Sequence, residues 1–156
     1  MGEPKPYAPW QERLGTVFVK LMSRVNTAVY RRSKGRFGAT FPGAGSPVCL
    51  VTTTGRKSGQ DRSVPLIYLK RGDDVVVVAS KGGMSEHPDW FLNLRDDPAV
   101  EVAIQGGPKQ PMRARIATAE ERAELWPRVT ADHKNYADYQ TKTDREIPVV
   151  LLEPVA

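Results

Sequence analysis

Six short runs of apolar and β-branched residues, broken by glycine, proline or aspartate and not alternating with crossover helices, limit what this chain can fold into. They cover residues 47–53, 62–70, 74–80, 99–105, 111–117 and 147–152. A doubly wound parallel sheet needs a crossover helix between strands, whereas successive antiparallel strands need only turns. The fold class is therefore β-rich α+β, with about six antiparallel strands in a closed or partly closed barrel and helices outside it. Arg71-Gly72-Asp73-Asp74 is short enough for a hairpin between the second and third runs. In the fifth run Met112, Ala114 and Ile116 alternate with Arg113 and Arg115, the pattern of a strand with one face buried.

Three stretches read as helix. Leu14, Val17, Phe18, Leu21, Met22, Val25, Ala28 and Val29 recur at three- and four-residue spacing. Residues 10–32 thus form an amphipathic helix whose other face carries Arg13, Lys20, Arg24, Arg31 and Arg32. A glycine-rich connector over 35–45 ends it. Pro88 suits the first turn of a helix to about Arg95, stopped by Asp96-Asp97-Pro98. Thr118-Ala119-Glu120-Glu121 is a capping box, in which hydroxyl and carboxylate satisfy orphan amides. It opens a helical stretch to about Thr141 that Pro127 should interrupt. The chain divides into helix and connector, 1–45, and barrel, 46–156, within a single domain.

A chain of 156 residues can bury roughly 70% of its unfolded surface in one core. Cys49, within Val48-Cys49-Leu50-Val51, reads as a small buried hydrophobe rather than a nucleophile. A lone cysteine allows no internal disulfide, which fits a reducing cytoplasm. The opening Met1-Gly2-Glu3-Pro4-Lys5-Pro6 lacks a signal-peptide core, and Pro6 stands where a myristoylation signal needs Ser or Thr. No apolar stretch is long enough to span a bilayer. His87 and His133 are too few and too far apart for a zinc site, so no metal is expected. The net charge of +5 favours an anionic partner. Nucleic acid fits poorly, because the cations are dispersed and not interleaved with aromatics.

Three segments place donors or a flat apolar group where a strand gives way to a loop. In Gly55-Arg56-Lys57-Ser58-Gly59 the spacing of a Walker loop is absent and a strand follows where that motif needs a helix. The remaining readings are a nest of amides with Arg56, Lys57 and Ser58 as anion donors, and an ordinary turn with solvated cations. Ala79-Ser80-Lys81-Gly82-Gly83 ends a strand with two glycines that let backbone approach a ring, beside a hydroxyl and a cation, or is a generic turn. In His87-Pro88-Asp89-Trp90-Phe91-Leu92-Asn93-Leu94, Trp90 and Asn93 share a helix face, with a core Trp as the bland alternative. His133, Tyr136 and Tyr139, each three residues apart, form an aromatic stripe that is either core or a pocket wall.

At these segments, and over about residues 17–154, the chain resembles the deazaflavin-dependent nitroreductase family of actinobacteria, class A flavin/deazaflavin oxidoreductases that use coenzyme F-420. The resemblance implies a split β-barrel and a coenzyme with a phosphate and an oligoglutamate tail. It implies a coenzyme site of Arg56, Lys57, Ser58, Gly59, Arg62, Pro65, Ala79, Ser80, Lys81, Gly82, Gly83, Trp90 and Asn93. It also implies a substrate pocket at His133, Ile67, Tyr136 and Tyr139, where His133 and Ile67 stand in place of tyrosines. Those two departures favour quinones and enones over bulky nitroimidazoles. Ser80, Tyr136 and Tyr139 are the candidates for stabilising charge on a small-molecule hydride acceptor or returning a proton to it.

Two alternatives stay open: an FMN-dependent oxidoreductase on the same barrel, and a non-catalytic protein that binds or stores the deazaflavin. The expected setting is a monomer or weak dimer in the cytoplasm. The amphipathic N-terminal helix either packs on its own barrel or contacts the inner face of an anionic membrane.

Overall fold

The computed structural model describes residues 6–34 and 45–156, so the opening residues and nearly all of the 35–45 connector lie outside the described residues. The elements are α1 (Pro9–Arg32), β1 (Val48–Thr54), β2 (Asp61–Arg71), β3 (Asp74–Val78), a 3-10 turn (Lys81–Gly83), α2 (Asp89–Asp96), β4 (Ala99–Ile104), β5 (Gln110–Ile116), α3 (Ala119–Asp132), α4 (Asn135–Gln140) and β6 (Val149–Pro154). The six strands close into an antiparallel barrel in the order β1-β2-β3-β6-β5-β4, with β4 returning to β1. Val48↔Ile67 through Thr54↔Asp61 fixes the first hairpin, and Val75↔Leu152 fixes the β3–β6 pair. Closure removes the edges that would otherwise recruit other strands.

The interior holds Cys49, Val51, Val75, Val77, Val102, Met112, Val150 and Leu152, joined by Trp90, Phe91 and Leu94 of α2. On the other face of β3 and β6, Val76, Val78, Val149 and Leu151 pack against Leu125 and Val129 of α3 and Tyr136 of α4. Both faces of these two strands are covered, which is why they read as unbroken apolar runs. Cys49 is fully buried, and burial pushes its thiol up to about 12, so no thiolate nucleophile exists at neutral pH.

Two expectations fail. Pro127 does not interrupt its helix; α3 runs through it to Asp132, and the chain turns instead at His133. Proline leaves the carbonyl one turn earlier without an amide partner, and exposed Ala123 can satisfy that carbonyl with water. Ile116 does not follow Met112 and Ala114 inward but is 49% exposed as the last residue of β5.

Helix α1 lies along β2, yet only Tyr30 of its described residues is buried. Trp10, Leu14, Val17, Phe18, Leu21, Met22, Val25 and Val29 all face solvent. Polar contacts hold its two ends. Glu12 accepts from the Ser85 amide at 2.8 Å and its hydroxyl at 2.7 Å, while Gly15 leaves so little room that a Cβ would stand 2.5 Å from the Met84 methyl. At the other end the Tyr30 hydroxyl donates to Ala103 O and accepts from Gly106 N, and Arg31 donates to Ser63 Oγ at 2.6 Å.

Candidate functional site

Between α1, the β1–β2 loop, the start of β2 and the first turn of α2 lies a cleft of about 740 Å³. Seven cationic side chains and two carboxylates line it. Arg56, Lys57, Arg62 and Lys81 come from the barrel side, and Lys20, Arg24 and Arg31 from α1. Ser58, Trp90 and Asn93 also face it.

Arg56 is aimed by a buried relay. Asn93, 4% exposed, accepts from the Arg56 amide at 3.2 Å and its guanidinium at 3.0 Å, and donates to Thr53 at 3.1 Å. A buried amide with these bonds satisfied fixes a long side chain at little further entropic cost. Asp89 bridges Arg56 at 3.4 Å and Lys20 of α1 at 3.2 Å. Burial raises the Asp89 carboxyl, but bonding and charge from Lys20 and Arg56 outweigh it and hold the group below the usual range. Among the described residues, neither Lys57 nor Arg24 has a hydrogen-bond or ion-pair partner.

The expected nest of loop amides does not form. The Gly55, Ser58 and Gly59 amides bond to carbonyls within the loop, and the Gln60 amide bonds to Ser58 Oγ. Gly55 is required because a Cβ there would meet Ser58 Oγ at 2.8 Å and Gln60 O at 3.1 Å. The loop therefore offers cationic side chains and a hydroxyl rather than a ring of amides.

After β3, Lys81, Gly82 and Gly83 all take positive φ, at 45°, 65° and 81°. Consecutive left-handed residues, one of them not glycine, are costly and persist only where neighbours impose them. Arg145 imposes this turn: its guanidinium donates to the carbonyls of Ala79 at 3.2 Å, Ser80 at 2.8 Å and Met84 at 2.9 Å. It also lies 3.3 Å from His87 Nδ1, so that nitrogen accepts and the ring is neutral. Burial, then Arg145 and Arg95, lower the His87 pKa. The two glycines differ. A Cβ at Gly83 would sit 2.5 Å from Tyr139 O, so the close approach there is to α4 and not to a ligand, whereas Gly82 has open space beside it.

His133, Tyr136 and Tyr139 do not share one helix, because His133 caps α3 and the tyrosines belong to α4. They still meet, His133 to Tyr136 at 4.8 Å and Tyr136 to Tyr139 at 6.2 Å between ring centres. Tyr136 is 7% exposed, and burial pushes its hydroxyl well above the ordinary tyrosine value. Lys142 lies over Tyr139 at 5.8 Å and donates to Tyr7, whose hydroxyl donates to Gly82 O at 3.2 Å.

The cleft thus gathers Arg56, Lys57, Ser58, Arg62, Lys81, Trp90 and Asn93. Gly59, Pro65, Ala79, Ser80, Gly82 and Gly83 are not among its lining residues, and neither are Ile67, His133, Tyr136 and Tyr139. Ile67 stands opposite Val48 in the β1–β2 ladder. Sequence reasoning missed the α1 wall; its basic face was visible, but nothing in one sequence showed what that face meets. A cation-rich cleft with two unpartnered charges and an indole fits a ring-bearing coenzyme with phosphate and carboxylates.

Residues 21–154 match the family described as F420H(2)-dependent quinone reductase. An F420H(2)-dependent quinone reductase of Mycobacterium tuberculosis strain H37Rv is 41% identical over 147 residues, 92% of this chain and 95% of that protein. A solved structure described as an F420-H2 dependent reductase is 44% identical, with a TM-score of 0.63 over 69% of this chain and 94% of the other. A second, described as a domain-swapped dimer, is 35% identical, with a TM-score of 0.65 over 88% and 98%. The sequence match extends over most of the chain and the fold agrees with it, so the chain belongs to the F420H(2)-dependent quinone reductase family.

Proposed function

We propose that this chain is an oxidoreductase that uses reduced coenzyme F-420 to reduce quinones, with enones and simple nitroaromatics as further acceptors. The carrying observation is the cationic cleft beside the strained 81–83 turn, in a chain of this family. When bound, the coenzyme supplies the hydride. Arg56, Lys57, Ser58, Arg62 and Lys81 bind its anionic part. Trp90, together with Ser80 and Gly82, borders its ring, while Gly83 and the buried Ala79 shape the turn that carries them. Arg145 holds the Ser80 carbonyl and so orients that residue. Ser80 and Tyr139 donate to the oxygen that gains charge on the acceptor. Tyr136 stays protonated and packs edge-on against Tyr139, while His133 and Ile67 belong to the acceptor side.

Titration of the purified protein with the deazaflavin and with FMN, followed by oxidation of the reduced deazaflavin by menadione, cyclohexenone and a nitroaromatic, tests this reading. Tighter binding of FMN favours a flavin enzyme on the same barrel, and binding without turnover favours a storage protein. Ser80→Ala or Tyr139→Phe should leave coenzyme affinity within a few-fold and slow menadione reduction by up to roughly 10²-fold. Affinity falling in step with rate would sink the role given to these two residues.

The outward stripe of α1, from Trp10 to Val29 and bordered by Arg13, supports docking on the cytoplasmic face of an anionic membrane, where lipophilic quinones reside. No described helix is long and apolar enough to cross a membrane. Sedimentation with anionic vesicles should show weak binding at low salt that salt removes. No pelleting at low salt rules it out.

A further inference from the structure

We infer that α1 forms the second wall of the anion site, and that a multiply charged anion between Lys20 and Arg24 on the helix and Arg56 and Lys57 on the loop clamps α1 onto the barrel. The inference rests on the anion-binding part of the proposed function and is independent of turnover.

Three observations carry it. First, α1 is fastened at its ends by polar contacts and contributes one buried side chain, Tyr30, while its middle faces the cleft through Thr16, Lys20, Ser23, Arg24 and Thr27. Little buried apolar area holds that middle section down, so its seating responds to small changes in free energy.

Second, seven cations face two carboxylates in one cleft, and Arg24 and Lys57 lack any partner among the described residues. Like charges facing across a partly desolvated gap repel, and a polyanion converts that repulsion into charge-assisted bonds on both walls.

Third, among the described residues the one ion pair crossing the gap is shared. Asp89 holds Lys20 and Arg56 together, yet it is about half exposed, so the link is weak. A phosphate or carboxylate series would compete with Asp89 for both cations while bringing more charge than it does. A ligand that binds only the seated helix stabilises that seating by linkage.

The test is amide hydrogen exchange of peptides within 9–32, on the full chain, alone and saturated with the deazaflavin coenzyme or with inorganic tripolyphosphate. Exchange in the middle of α1 should slow by about tenfold or more with the coenzyme, and by less with tripolyphosphate. The double variant Lys20→Ala/Arg24→Ala should still bind the coenzyme, read from its absorbance, with affinity several-fold weaker, and should lose the added protection. Unchanged α1 exchange at saturation overturns the clamp, as does full protection in the double variant. Turnover with an indifferent α1 would remove this inference and leave the proposed function standing. Protection by tripolyphosphate without coenzyme binding would do the reverse.

Discussion

Strand β3 and helix α1 are both rich in apolar residues and meet opposite fates. Val75, Val76, Val77 and Val78 are all at most 7% exposed, because the barrel interior lies on one side and α3 and α4 on the other. In α1, Val17 is 66% exposed, Phe18 62% and Leu21 59%. The barrel is held by apolar burial, while among the described residues the helix is held by hydrogen bonds, one ion pair and the buried Tyr30. The first kind of attachment depends on excluding water, and the second on a few polar groups that stay within reach of it.

The largest effect should come from the barrel. Phe91→Ala removes a ring that is 1% exposed and should cost about 3–5 kcal/mol in urea unfolding, whereas Leu21→Ala should stay within about 0.5 kcal/mol. Comparable losses at both positions would mean that the α1 stripe is covered, and the contrast would collapse.

At the seam between the two regions, Arg56→Ala and Lys57→Ala should each cost on the order of 1.5–3 kcal/mol of deazaflavin affinity by titration. Asn93→Ala should approach the Arg56 effect, since Asn93 aims that guanidinium. Undiminished affinity in Arg56→Ala would show that the loop does not meet the anion.

A smaller contrast separates two neighbouring glycines. Gly83→Ala forces a Cβ against the Tyr139 backbone at positive φ and should cost about 2–3 kcal/mol, while Gly82→Ala, with open space, should cost about 1 kcal/mol. Equal costs in thermal unfolding would mean that α4 shifts away freely.

The smallest effects are in pH. His87 is neutral against Arg145, and its folded pKa is lowered, so the unfolded chain binds the extra proton more readily. Stability should therefore decline as pH falls below about 6.5, the unfolded value. Glu121, bonded by Arg115 at 2.6 and 2.7 Å and by the Thr118 amide, has a depressed carboxyl pKa. Its contribution should be present above about pH 4.3 and fade below it. Removing the first decline with His87→Gln and the second with Glu121→Gln would separate the two windows. A decline near pH 6 that survives His87→Gln would assign it to another group.

The barrel was legible because its signal is local. Each β-branched run matched a strand to within two residues at either end, and the capping box at Thr118 and Glu121 formed as expected. The loop cations, Trp90 and Asn93 were legible as residue types at strand and helix ends. Pro127 misled because the carbonyl it frees, on exposed Ala123, is open to solvent, which lowers the cost of continuing the helix through it. The amide nest misled because glycines announce a tight turn without saying whether its amides point inward or are spent within it.

The sequence by itself determined the strand set, the existence and two faces of α1, the buried cysteine and the excess of positive charge, since periodicity and side-chain chemistry are properties of neighbouring residues. Only the tertiary structure decided that the basic face of α1 roofs the cleft while its apolar face meets solvent, that Arg145 braces the 79–84 turn, and that Asn93 aims Arg56. These are pairings across 33 to 69 positions of chain. An amphipathic pattern states that a helix has two environments, but which surface supplies each is set by the closure of the barrel beneath it.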